Sequence, residues 1–152
     1  AIISRRYEMG KTEKLKAERK AAREAERSTG WKIDIRPYKV RIPDFDDRGQ
    51  LKAKDGKPVM KEDDFDVKGS LCDILFNRDL QLKPEDGFKA YDLAKKIRSA
   101  NSHVVLDGQE IAQVRRAYDA LKGISENMIE FLRRIRDAEM VKLGEVKDAS
   151  EN

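Results

Sequence analysis

A chain of 152 residues, 41% charged and 39% hydrophobic, has material for one modest core plus an appendage, and too little for two cores. No apolar stretch approaches the roughly 20 residues that cross a bilayer, no signal-peptide pattern opens the chain, and the single cysteine, Cys72, excludes an internal disulfide and suits a reducing compartment. The formal net charge of +4 is unevenly placed: residues 1–27 carry nine Lys/Arg against five Asp/Glu, while residues 28–152 carry 24 of each.

The excess positive charge therefore marks an N-terminal arm, assigned to residues 1–30. Within it the spacing predicts a helix over about 12–27. Thr12 is a suitable N-cap, four alanines and many Lys, Arg and Glu favour helix, and the pairs Lys14/Glu18 and Lys20/Glu24 lie four apart. The only large apolar residue of this stretch is Leu15, so the helix has almost nothing to bury, and isolated helices of this length are marginal in water. Lys16, Lys20, Arg23 and Arg27 fall at i, i+4, i+7 and i+11 with Arg19 beside them, one continuous basic stripe on a 3.6-residue helix. Such a stripe suits a phosphate backbone or an acidic groove on a protein; the alternative is a solvated, half-formed helix.

At residue 31 the period changes. Trp31, Ile33 and Ile35 alternate with polar residues, as do Tyr38, Val40 and Ile42, which reads as one strand with a single apolar face. Pro37 interrupts it without changing that face, at an edge or bulge. Residues 43–66 form a polar loop-and-hairpin region with turn signals at Asp47-Arg48-Gly49 and Lys54-Asp55-Gly56, and Val59 and Met60 suggest a short return strand. Helices are predicted over 67–78, with Leu71, Cys72, Ile74 and Leu75 inward, and over 84–99, opened by Pro84-Glu85-Asp86, with Phe88, Tyr91, Ala94 and Ile97 as its core face. Residues 103–110 read as a short strand leading into a helix. Asp107 and Glu110 form a capping box there, and Ile111, Val114, Tyr118 and Leu121 lie on one face. Ser125 caps a last helix, extending to about residue 141, with Met128, Leu132 and Ile135 inward, Phe131 alongside, and Arg133, Arg134 and Arg136 outward. The expected fold class is α+β, mostly helical: a small antiparallel sheet with about four helices over residues 31–143, the charged arm helix before it, and a polar tail over 144–152.

No residue set names a reaction. Asp44, Asp46, Gly49 and Asp55 match positions 1, 3, 6 and 12 of a calcium loop, but Arg48 stands where an oxygen ligand is needed and Asp55 where a bidentate Glu is needed, so a solvated turn is the better reading. Cys72 and His103 are too few for zinc, and Cys72 sits in an apolar run typical of a buried thiol. The Asp63/Asp64 pair lies in a turn-rich charge run, and no glycine-rich phosphate cradle occurs. The expectation is a protein with no catalytic residue, no metal site and no cofactor. Nucleic-acid contact has the basic stripe, Arg5, Arg6 and the Arg133/Arg134/Arg136 cluster in its favour, against a neutral domain without a stacking platform or a helix-turn-helix. Protein assembly has the long polar arm in its favour, since an arm that orders on docking gains reach.

The segment DFDVKGSLCDILFNRDLQL, followed by KAYDLAKKI and VVLDGQEIAQVRRAYDAL, carries one further signal. A polar hairpin, a small apolar helix, an LAKKI helix and a strand running into an acid-capped helix follow in that order. Over about residues 57–136 this resembles small accessory proteins encoded among the structural genes of tailed bacteriophages. The resemblance implies a virion or virion-assembly protein without enzymatic activity, located in the virion or the host cytoplasm. It carries no functional residues over, and the arm lies outside it. The expectation is an assembly component that docks on neighbouring protein subunits, its own copies among the candidates, through Leu15, Lys16, Arg19, Lys20, Arg23, Arg27 and Trp31. A small nucleic-acid-binding regulator using the same stripe is the alternative.

Overall fold

The computed structural model describes residues 12–23 and 29–143. Residues 12–23 are helical (α1), and every one of them is exposed. The domain that follows is α+β with a mostly helical core. Strand β1 (Thr29–Asp34) is central in a three-stranded antiparallel sheet, between β6 (His103–Leu106) and β7 (Glu139–Lys142). Its odd-numbered side chains Ile33 and, just past the strand, Ile35 enter the core, and Trp31 packs against that core half-buried. Helices α2 (Val67–Ile74), α3 (Pro84–Ser99), α4 (Gly108–Ala120) and α5 (Ile129–Arg136) complete it, with 3-10 turns at Arg78–Leu80 and Glu126–Met128. Phe131, Leu71, Ile97, Leu106, Val114 and Ile135 are the deepest large side chains of the helices and of β6.

Several local signals act as the sequence predicts. Pro84 opens α3 with Glu85 and Asp86 in the first turn. Asp107 and Glu110 close a reciprocal capping box on α4: the Glu110 amide donates to the Asp107 carboxylate at 2.8 Å, and the Asp107 amide to Glu110 at 3.0 Å. Both bonds satisfy amides that an α-helix leaves without partners.

Other expectations are corrected. The apolar run 31–42 is two strands in two sheets. At Arg36 and Pro37 the chain leaves β1, and the inward positions change from odd to even as β2 (Tyr38–Pro43) begins. The expected helix over 67–78 ends at Ile74. Of the expected α3 face, Ala94 and Ile97 are buried, but Phe88 and Tyr91 are 64% and 52% exposed, and Ala90 and Leu93 take the inner positions instead. Small residues take the inner face because α2 approaches closely there: the Cys72 thiol donates to the Ala94 carbonyl at 3.6 Å. The last helix ends at Arg136, with Phe131 as its most buried residue, and residues 139–142 pair with β1 as a strand.

The region read as polar loop is one long hairpin. β2 pairs in antiparallel register with β5 (Met60–Phe65), from Tyr38 opposite Phe65 to Pro43 opposite Met60. Beyond it Phe45 bridges Leu51, and β3 (Ala53–Lys54) turns back onto β4 (Lys57–Pro58). Asp55 and Gly56, at φ 54° and 76°, form this tip, the left-handed pair that a two-residue hairpin turn requires. From Pro43 to Asp64 no residue is buried, so this hairpin stands away from the core.

Candidate docking surfaces

α1 carries Leu15, 48% exposed and about 100° around the helix from Lys16. Lys16, Arg19, Lys20 and Arg23 are all exposed, and among the described residues none of them has an ion-pair partner. Helical rise puts Lys16 and Arg23 about 10 Å apart along the axis. Arg27 lies outside the described residues. Trp31 is placed differently from the arm residues: it sits within β1 opposite Leu106 and Met140 and packs half-buried on the core.

The base of the hairpin is built by α5. Tyr38 stacks on Phe65 with ring centroids 4.9 Å apart, and Phe65 in turn meets Phe131 at 5.7 Å. The Tyr38 hydroxyl donates to the Asn127 carbonyl and accepts from the Phe131 amide at 3.1 Å. Phe131 is in the first turn of α5, whose preceding Met128 offers no side-chain cap, so the tyrosine supplies an acceptor that the helix lacks. Burial pushes the Tyr38 phenol above its ordinary range. The Asn127 side-chain amide donates to the Arg41 carbonyl at 3.2 Å.

Arg134 fixes the crossover between β1 and β2. Its guanidinium donates to the Arg36 carbonyl at 2.6 Å and the Asp34 carbonyl at 3.1 Å, lies 3.3 Å from Glu130, and sits over the Tyr38 ring. Asp34 also holds Arg36 through two side-chain bonds of 3.0 and 2.8 Å. These bonds lower the Asp34 carboxyl to about 2: the Arg36 hydrogen bond is the largest cause, partial burial opposes it, and the Arg36 amide and the charge of Arg134 assist. Arg134 is therefore an inward structural residue, where the sequence suggested an outward one.

Beside β2 a cleft of about 620 Å³ opens between the hairpin and the first turn of α5. Tyr38, Val40 and Met60 give it apolar wall, and Glu62, Glu126 and Glu130 line it with carboxylates. Lys39 and Arg41 also line it. Lys39 is held by Asp64 at 2.8 Å, and Arg41 faces Glu62 across the strands. Glu62 and Glu126 have no ion pair among the described residues. Sequence reasoning missed this cleft because its walls come from segments some 60 residues apart. The only local signal was the even spacing of Tyr38, Val40 and Ile42.

The groups considered for chemistry do not converge. Cys72 is buried between α2 and α3, and burial pushes its thiol up. His103 lies half-buried on β6 with Nδ1 3.0 Å from the Ser102 hydroxyl, in a separate cleft lined by Lys32, Asp34, Arg133 and Arg134. Burial lowers its pKa, the Asp34 charge raises it, and Lys32, Arg36 and Arg134 lower it further. The acids of the calcium-like stretch organise turns: Asp46 accepts from the Arg48 and Gln50 amides, each at 2.9 Å, and Asp44 meets Lys52 at 3.2 Å. Among the described residues no group of three or more His, Cys, Asp or Glu is placed to hold a metal ion, and no helix is long and apolar enough to cross a membrane. No protein family, no curated protein and no solved structure matches the chain.

Proposed function

We propose that this chain is a non-enzymatic structural or assembly protein that docks on neighbouring subunits of a larger complex through α1. The observation that carries the reading is the helix itself. Residues 12–23 are helical and exposed throughout, with one large apolar side chain among five Lys/Arg and two Glu. A helix that buries nothing on its own domain gains its stability elsewhere. The hairpin supports the same reading, because Phe45, Leu51 and Met60 are 53%, 47% and 39% exposed on an element that stands off the core. Exposed apolar side chains grouped on a projection suit a contact with another subunit. The resemblance over residues 57–136 supports a phage particle as that complex, with the chain in the virion or the host cytoplasm.

The test is sedimentation velocity on the full chain and on a chain lacking residues 1–23, alone and with double-stranded DNA at several salt concentrations. The assembly reading expects protein association that the deletion removes and that salt weakens modestly. A nucleic-acid regulator, favoured by the exposed Lys16, Lys20 and Arg23, would instead bind DNA with a log–log salt slope of about −3 for three phosphate contacts.

A further inference from the structure

We infer that the partner of α1 is a second copy of this chain, and that α1 seats in the carboxylate-lined cleft beside β2 of that copy. The inference rests on the assembly reading above and names its partner. Two complementary surfaces on one chain support it. α1 offers three cations without an ion-pair partner among the described residues, Lys16, Lys20 and Arg23, at i, i+4 and i+7, with Arg19 on the flank of the same face and Leu15 one step further round. The cleft offers Glu62 and Glu126, which have no ion pair among the described residues, and Glu130, which has one weak partner in Arg134 at 3.3 Å. Lys39 is held by Asp64 at 2.8 Å, so three carboxylates outnumber the one remaining cation of the lining, Arg41.

Size agrees with charge. A cleft of about 620 Å³ is too small for a whole helix and suits the side chains of one helical face. Leu15 fits against Val40 and Met60, the apolar part of the wall, while the aliphatic stems of Lys16 and Lys20 lie along it with their ammonium groups at the rim. Each copy carries one helix and one cleft, so two copies satisfy both by reciprocal exchange in a two-fold dimer, and more copies by head-to-tail repetition into a ring or filament. The like charge of two basic stripes also disfavours helix-to-helix pairing.

The test is a charge swap on the full chain, read by sedimentation velocity at about 100 µM, where a micromolar contact is filled. One variant carries K16E, K20E and R23E; another carries E62K and E126K. All five positions are exposed, so both variants keep the fold, which far-UV circular dichroism checks. The expected result is association in the natural chain, a loss of at least tenfold in each variant, and recovery when the two variants are mixed, because the reversed helix of one then meets the reversed cleft of the other. Association lost in the helix variant but kept in the cleft variant overturns the cleft assignment and leaves α1 as a docking element. Association indifferent to both overturns the assembly reading as well. A natural chain that stays monomeric at this concentration overturns the inference that the partner is its own copy.

Discussion

Replacing Tyr38 with phenylalanine isolates the joint between the hairpin and the domain. The ring remains, so the stack on Phe65 at 4.9 Å is kept, and only the hydroxyl is lost. The Asn127 carbonyl then loses a donor, and the Phe131 amide loses the acceptor that serves in place of an N-cap. Losing a helix cap costs about 0.5–2 kcal/mol, and leaving a buried donor unsatisfied about 1–3. These overlap at the Phe131 amide, so the expected loss is about 2 kcal/mol. For a chain of this size each kcal/mol lowers the melting temperature by roughly 2–4 °C, which gives a drop of about 6 °C. Urea titration followed by circular dichroism measures the first quantity and a thermal scan the second. Amide exchange at Phe131 should accelerate more than exchange in α3, which does not touch Tyr38. A loss below about 0.5 kcal/mol, with Phe131 exchange unchanged, would refute the claim that this hydroxyl caps α5.

Four further outcomes follow from the same structure. Asp34 titrates near 2 in the folded chain against 3.8 for the free group, so its contribution is complete above about pH 4 and disappears as the pH falls through 2; Asp34→Asn should lower stability at pH 7 by about 1 kcal/mol after solvent screening, and flatten the acid limb of a urea–pH series. Gly30→Ala should destabilise by about 1–2 kcal/mol in thermal unfolding, because a Cβ there would come within 2.7 Å of Val105 Cγ1 and 2.6 Å of Leu143 Cδ2, and the stiff valine has little freedom to move. Gly87→Ala should stabilise by up to about 1 kcal/mol in the same assay, since a Cβ there meets nothing within 4 Å and the position is helical. Phe131→Ala should cost about 3–5 kcal/mol, measured by urea unfolding, because this ring is 1% exposed and joins α5 to the hairpin base.

What the sequence made legible were features whose causes lie within a few residues. The Asp107–Glu110 box, the Pro84 start and the Asp55-Gly56 tip each need only local backbone groups, and each occurs where expected. The face of α3 was legible only in part: Ala94 and Ile97 are inward as read, but the tight approach of α2 selects Ala90 over the larger Phe88 and Tyr91. β5 carries Lys61, Glu62, Asp63 and Asp64 in succession, with no alternation, and is a strand because β2 pairs with it. β7 likewise depends on its partner β1. Among the proposed docking residues, the exposure of Leu15, Lys16, Arg19, Lys20 and Arg23 followed from composition and period. Trp31 differs from them, because its strand parity directs it toward the core, where it is half-buried. The cleft was out of reach, since its carboxylates meet only after the hairpin folds back past α5.

The most direct test of the central claim is amide hydrogen exchange over residues 12–23 of the full chain, at low and at high protein concentration. If α1 docks on a second copy, protection of these amides rises with concentration, together with that of residues 38–43 and 126–130. If α1 exchanges equally fast at both concentrations while the chain associates, the helix is not the docking element and the account is contradicted.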